Sequence, residues 1–119
     1  MPKRLVIAAL LLVAPAAASA QQPTLEQRVQ RMEDESQIRR MVIEYGAFLD
    51  VKDFRSYASL FAPDRVWQGG FGTFTGPAAI EKMLTDNLGA PEPGFVNKAN
   101  FHMLTNPLIA IDGDRAHVE

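Results

Sequence analysis

The stretch that decides the fold reads EYGAFLDVKDF and spans residues 44–54. It joins the end of one helical pattern to the start of another. Upstream, apolar residues recur at spacings of three and four from Leu25, which predicts an amphipathic helix to about Leu49, with a break near Ser36 left open. Downstream, Asp53 is placed to cap a short second helix. The stretch therefore predicts a corner between two helices.

The segment before the first helix has the three parts of a secretory signal. Lys3 and Arg4 precede a short apolar run, and Ala18-Ser19-Ala20 supplies the small residues of a cleavage site. The apolar run is far shorter than the ~20 residues that span a bilayer. We therefore expect cleavage after Ala20, no stable membrane anchor, and a secreted or periplasmic mature protein.

The mature chain has the composition of one small, cysteine-free domain. Cleavage after Ala20 leaves 99 of the 119 residues, and the 10 remaining basic residues face 14 acidic ones, for a formal charge of −4. This mild acidity argues against nucleic acid as a partner. The lack of cysteine excludes disulfides and thiol chemistry. We assign residues 21–23 to a linker and residues 24–119 to the domain.

The rest of the chain predicts a hairpin, a helix and extended segments. Residues 65–75 suggest two short strands around Gly69-Gly70. Gly76-Pro77 opens a third helix, which Gly89 closes. Residues 95–111 are extended, and the Asp112-Gly113-Asp114 turn leads into a return strand.

The predicted order is two helices, two short strands, a helix and then long strands. This order is typical of an α+β fold. We expect a curved antiparallel sheet, cone-shaped, with three helices enclosing a pocket. Because the chain stops at Glu119, soon after the return strand begins, we also expect the sheet to be incomplete and the domain to be truncated there.

His102 is the first candidate for chemistry. Strand alternation places it on one face with Leu104 and Asn106, and that face would look into the pocket. A histidine at the sheet surface, or one satisfied in the core, is the alternative interpretation. A carboxylate partner would favour a role for His102 in chemistry.

Asp50 is the candidate partner. It lies in the last turn of the first helix, where the macrodipole disfavours a negative charge. It could equally be a turn residue at the corner. Tyr45 is foremost a core residue whose phenol needs a hydrogen-bond partner, and secondarily an acid in the cavity.

Other motifs in the chain carry less chemistry. The glycines between Gly69 and Gly72 lack the lysine and the setting of a phosphate loop, so they indicate a hairpin. Asp112 and Asp114 lack the further ligands of a calcium loop. His102 and His117 lack a third zinc ligand. We therefore expect no metal and no cofactor.

Several segments together resemble SnoaL-like proteins of the nuclear transport factor two superfamily. The resemblance covers residues 25–119 and rests on the corner and on four later segments: Leu60–Asp64, Gly76–Ile80, Asn106-Pro107 and Asp112–Asp114. The chain is most similar to the branch that includes scytalone dehydratase and bile acid 7-alpha-dehydratase.

The resemblance implies a site. In that branch an aspartate at the position of Asp50 and a histidine at that of His102 form an acid–base pair in a closed pocket without a cofactor. The bile acid enzyme also has a tyrosine matching Tyr45. Scytalone dehydratase has tyrosines where this chain has Leu49 and, approximately, Gln68. We expect the substrate to contact Asn106, Leu104, Trp67 and Leu49.

Such a pair suits proton transfer. The carboxylate fixes the imidazole tautomer, and the other ring nitrogen removes or relays a proton. We therefore expect a cofactor-free lyase or isomerase, such as a dehydratase, acting on a small, largely apolar ring compound, in a protein that forms a homodimer or homotrimer. The alternative is a non-catalytic ligand-binding or dimerisation module of the same fold.

Overall fold

A computed structural model describes residues 22–90 and 92–119, in which three helices and two β-hairpins form an α+β domain. The predicted signal segment lies outside the described residues. No helix in the described ranges is long and apolar enough to cross a membrane.

Helix α1 spans Leu25–Asp50 without a break at Ser36. A capping box begins this helix, since Thr24 Oγ1 accepts from the Gln27 N–H at 3.2 Å and Gln27 Oε1 accepts from the Thr24 N–H at 2.9 Å. Gly46 is the buried residue of this helix. The apolar residues of its first half are largely exposed, with Leu25 at 72% and Met32 at 71%.

The corner after α1 is a Schellman motif. The Asp53 N–H donates to Phe48 O at 2.9 Å and the Lys52 N–H donates to Leu49 O at 3.1 Å, which satisfies two carbonyls at the end of the helix. Lys52 is left-handed, with φ 58°, at the position where glycine is usual. Asp53 caps the next helix as predicted, since its carboxylate accepts from the Ser56 N–H at 3.1 Å.

Helix α2, Phe54–Ser59, and helix α3, Pro77–Leu88, enclose the core. Strands β1, Val66–Gly69, and β2, Gly72–Thr75, form the predicted hairpin between them. Pro77 opens α3, and Gly89 closes it with φ 80°. The core consists of six buried side chains from the two helices: Phe54, Tyr57, Ala58, Ile80, Met83 and Leu84.

The second hairpin packs against α1. It comprises β3, Ile109–Asp112, and β4, Arg115–Val118, with Asp112 opposite Arg115 across the predicted turn. The two hairpins are separate two-stranded sheets within the described residues. The α+β class is therefore observed, whereas a single curved sheet shaped as a cone stays a prediction.

The long strand predicted over residues 95–111 is wrong for most of its length. Strand β3 begins only at Ile109, preceded by one backbone pair between Leu108 and Glu119, and residues 92–108 contain no helix or strand. Asn106 takes a left-handed conformation with φ 44°, which breaks an extended run. Pro107 cannot donate to a ladder. A strand needs a hydrogen-bonded neighbour, and the described residues provide none for this segment.

Candidate functional site

A cavity of about 640 Å³ lies beneath the corner between α1 and α2. Its wall is mostly apolar and comes from α1, α3, the first hairpin and the loop after α3: Leu49, Trp67, Phe71, Leu84, Leu88 and Phe95. Its polar lining includes Tyr45, Asp50, Lys52, Tyr57 and His102. An apolar wall with a few converging polar groups is the usual composition of a small-molecule site.

A second cavity of similar volume lies at the start of α1, beside the turn of the second hairpin. Its lining is mostly charged and amide side chains, including Glu26, Arg28, Arg31 and Asp34, and neither histidine lines it. The cavity under the corner is therefore the better candidate.

Asp50 and His102 are in direct contact in that cavity. The imidazole Nδ1 of His102 lies 2.7 Å from Asp50 Oδ1. The main-chain N–H of His102 also donates to both carboxylate oxygens, at 3.1 and 2.9 Å. The two side chains are 22% and 47% exposed, respectively. One carboxylate thus holds both the ring and the backbone of the histidine.

These hydrogen bonds set the charge and the tautomer. The side-chain bond with His102, followed by the backbone bond, lowers the pKa of Asp50 below its usual value. An ionised carboxylate only accepts hydrogen bonds, so Nδ1 carries the proton that it shares with Asp50. This leaves Nε2 as the ring nitrogen that can accept a proton from a bound molecule.

Gly46 allows His102 to approach α1 closely. A Cβ at this position would lie 2.8 Å from the Cβ of His102 and 3.6 Å from a methyl of Leu104. Gly46 is one helical turn before Asp50, so both residues lie on the same face of α1. The loop therefore crosses the helix where no side chain intervenes.

Three aromatic side chains form the wall beside this pair. Tyr57 is completely buried, and its hydroxyl accepts from the Trp67 Nε1–H at 2.9 Å. Its ring centroid lies 4.7 Å from that of Tyr45, which is 37% exposed and lines the cavity. Burial, followed by hydrogen bonding with Tyr45, raises the pKa of Tyr57, so its phenol stays neutral.

Periodicity alone assigns Tyr57 to the apolar side of α2. Its spacing with Phe54 and Phe61 gives a helical stripe, and periodicity does not distinguish a phenol from a phenyl ring. The signal that was available is the tryptophan ten residues later, because a buried indole N–H needs an acceptor. Lys52 and Phe95 were missed for a different reason. Both lie in connections between elements, where periodicity gives no signal.

The structure brings five of the seven predicted site residues together. Asp50, His102, Tyr45, Leu49 and Trp67 all line the cavity. Leu104 instead lies against α1 at Gly46. Asn106 is exposed and lies outside the cavity lining, because the segment is not a strand and the alternation that grouped it with His102 does not apply.

His117 lies on β4, opposite Ala110, and its Nε2 is 3.3 Å from Glu119 Oε1. Within residues 22–90 and 92–119, no group of three or more His, Asp or Glu side chains is arranged to hold a metal ion.

A family model described as SnoaL-like domain matches residues 30–119. The match includes the corner, the aromatic wall and the segment that carries His102. No curated protein and no solved structure matches the chain.

Proposed function

The chain belongs to the SnoaL-like domain family of the nuclear transport factor two-like superfamily, and we propose that it is an exported, cofactor-free lyase or isomerase. Its substrate is a small, largely apolar ring compound that carries a carbonyl group. The Asp50–His102 contact, within a cavity walled by aromatic and aliphatic side chains, is the observation that carries this proposal.

The proposed reaction begins at Nε2 of His102. This nitrogen removes a proton from the carbon next to the carbonyl, and the electron pair moves onto the carbonyl oxygen as an enolate. Tyr45 donates a hydrogen bond to that oxygen. In a substrate with a β,γ double bond, the imidazolium returns the proton to the γ-carbon as the enolate reforms the carbonyl, and the double bond moves into conjugation. In a substrate with a β-hydroxyl, the imidazolium protonates that hydroxyl, which leaves as water while the enolate electrons form the new carbon–carbon double bond.

The remaining contacts position the ring. Leu49 and Trp67 lie on the cavity wall, where they can pack against an apolar substrate. Asp50 stays ionised and stabilises the imidazolium during the reaction. Proteins of this fold commonly assemble as dimers, and we propose a homo-oligomer for this one.

The experiment is proton exchange on a model ketone. Mature protein is incubated with 2-tetralone in D₂O, and loss of the signal of the protons next to the carbonyl is followed by ¹H NMR. We expect the exchange rate attributable to the protein to fall by about 10²- to 10⁴-fold in His102→Ala. His117→Ala removes the exposed histidine of the second hairpin and should leave the rate unchanged. Equal rates for wild type and His102→Ala would overturn the proposal.

One observation favours a ligand-binding module of the same fold as a second candidate. Two of the three contacts of Asp50 with His102 go to the main chain, so the aspartate also serves as a clip that holds the loop. Asp50→Asn separates the two roles, since the amide oxygen can still accept from the main-chain N–H while the amide NH₂ disfavours the Nδ1–H tautomer. Wild-type protein that binds 2-tetralone without accelerating exchange would favour the module, whereas exchange that survives in a folded Asp50→Asn variant would leave Asp50 with the clip role alone.

A further inference from the structure

We propose that the ligand of this cavity carries an anionic group of the carboxylate class, which is bound by the ammonium group of Lys52. The inference rests on the proposed function, which places the ring of the substrate in this cavity. It adds that the substrate carries a negative charge.

The ammonium group of Lys52 is fixed at the cavity wall. Its Nζ donates to the main-chain oxygen of Leu88 at 2.6 Å, at the end of α3. It also lies 4.8 Å from the ring centroid of Phe95. An ammonium has three donors, and the Leu88 carbonyl uses one of them. The others are available to a ligand that the cavity encloses.

The backbone at Lys52 is unfavourable for any residue with a side chain. The left-handed conformation costs roughly 1–2 kcal/mol for a non-glycine residue, and Lys52 occupies it with φ 58°. Glycine would end α1 in the same Schellman motif without that cost. A lysine at this position is therefore explained by what its side chain contacts, and the helix corner alone does not require it.

Charge in the cavity favours an anion. Two ammonium groups, Lys52 and Lys98, line it together with one carboxylate, Asp50, in a protein whose formal net charge is −2. Asp50 is already hydrogen-bonded by the ring and the main chain of His102. In the described part of the chain, no carboxylate lies within ion-pair distance of Lys52. A ligand carboxylate would therefore meet a fixed positive charge that no protein carboxylate neutralises.

Capping of α3 is the competing explanation for Lys52. A cation near a helix C-terminus is favourable in itself, and the Leu88 contact supplies this. That explanation predicts a change in stability but no preference between ligands that differ in charge. The two explanations therefore differ in a quantity that can be measured.

The test compares two probes of the same size, 2-naphthoate and the neutral ketone 2-acetonaphthone. Binding to the mature protein is measured by titration of NMR shifts, with Trp67 fluorescence as a second signal. We expect wild type to bind the carboxylate about tenfold more tightly than the ketone, which corresponds to one well-placed charged hydrogen bond. Lys52→Met should remove the preference and leave the affinity for the ketone unchanged.

Two further variants control the result. Lys52→Arg keeps the charge and should keep most of the preference. Lys82→Met removes an ammonium that is paired with Asp86 on the exposed side of α3, and it should change neither affinity. Retained ketone binding shows that the cavity of each variant is folded.

The outcomes separate this inference from the proposed function. Equal binding of both probes by wild type, or a preference that survives Lys52→Met, overturns the anionic group and leaves a neutral ring substrate in place. Failure of both probes to bind wild type overturns the aromatic-ring site itself, and the inference with it.

Discussion

At the scale of single residues, the contact between Asp50 and His102 depends on a residue that performs no chemistry. Gly46 and Asp50 lie one turn apart on α1, and His102 meets both. Glycine inside a helix costs about 1 kcal/mol relative to alanine. Glycine is required at position 46 because the loop that carries His102 approaches the helix closely there.

Gly46→Ala should therefore weaken the pair. The new methyl would lie 2.8 Å from the Cβ of His102, so the loop must move outward. Overpacking of 1–3 kcal/mol outweighs the gain in helix propensity, and we expect a net destabilisation of about 1 kcal/mol. The pKa of Asp50 should rise toward its ordinary value as the hydrogen bonds from His102 lengthen.

Carboxyl ¹³C NMR and urea unfolding measure both effects. Gly70→Ala is the control, because a Cβ at Gly70 meets nothing within 4 Å. A more stable Gly46→Ala protein with an unchanged Asp50 pKa would contradict the role of Gly46.

The lowered pKa of Asp50 also predicts how stability depends on pH. The folded state favours the charged carboxyl group more than the unfolded state does, so unfolding takes up protons at acidic pH. The contribution is complete above the unfolded pKa of about 3.9 and is lost as the pH falls through the lower folded pKa. The difference in the free energy of unfolding between wild type and Asp50→Asn should be constant above about pH 5 and shrink below pH 4.

Urea unfolding between pH 2 and 6 provides the measurement. Asp53→Asn is a matched comparison, because hydrogen bonds from Ser56 lower the pKa of Asp53 in the same direction. A wild-type advantage over Asp50→Asn that does not change with pH would refute the ionic role of Asp50.

The sequence identified some residues of the site and missed or misplaced others. Asp50 and His102 were identified because the resemblance supplied a pair and a helix end disfavours a carboxylate. The contribution of Gly46 could not be predicted, since it depends on contact with the loop that crosses the helix, and His102 in that loop is 56 residues away along the chain. Asn106 was misplaced because alternation was applied to a segment that is not a strand.

At the scale of elements, the corner between α1 and α2 joins the cavity to the core. Its Schellman motif orients Lys52 toward the end of α3, while Asp53 starts α2. Local signals predicted the caps at Asp53 and Gly89, because each depends on neighbouring residues. The left-handed lysine was not predicted, since the pattern that usually marks such a position is a glycine.

Lys52→Gly and Lys52→Ala should differ in stability although both remove the ammonium. Alanine keeps the cost of a left-handed backbone and glycine does not. We expect the glycine variant to be more stable by about 1 kcal/mol, measured by chemical unfolding. Equal stabilities would mean that the corner relaxes out of the left-handed conformation.

Tyr57→Phe should loosen the contact between α2 and the first hairpin. The substitution removes the acceptor of the Trp67 indole N–H, at a cost of about 1 kcal/mol because the indole is only partly buried. Trp67 is the single tryptophan of the chain, so its fluorescence reports the change directly. Tyr45→Phe is the control: it removes the hydrogen bond between Tyr45 and Tyr57 but keeps the acceptor of Trp67, so Trp67 fluorescence should not change. An equal fluorescence change in both variants would contradict this assignment.

At the scale of the whole molecule, the apolar surface is unevenly covered. The core lies between α2 and α3, yet large apolar side chains remain exposed on α1 and on the segment before β3. Four of them fall within eight residues of that segment: Phe101, Met103, Leu104 and Leu108. Patterning alone could not predict this exposure, because it identifies an apolar face without showing what covers it.

The exposed segment predicts self-association of the protein. Leu108 pairs with Glu119 at one end and the His102 N–H binds Asp50 at the other, while the backbone between them lies outside any regular strand. Exposed apolar side chains, next to main-chain groups that pair with no strand of the described chain, form a surface on which another chain can pack. We expect the apparent mass in light scattering after size exclusion to rise with concentration.

Variants at two surfaces test whether this segment is responsible. The double variant Phe101→Ser/Met103→Ser should shift the protein toward monomer, because it removes the most exposed side chains beside the free backbone. The matched variant Leu25→Ser/Met32→Ser removes equally exposed residues from α1, whose backbone is paired within the helix, and should have little effect. A monomer at every concentration would contradict the predicted self-association, and a mass that falls only in the α1 variant would place the interface on α1.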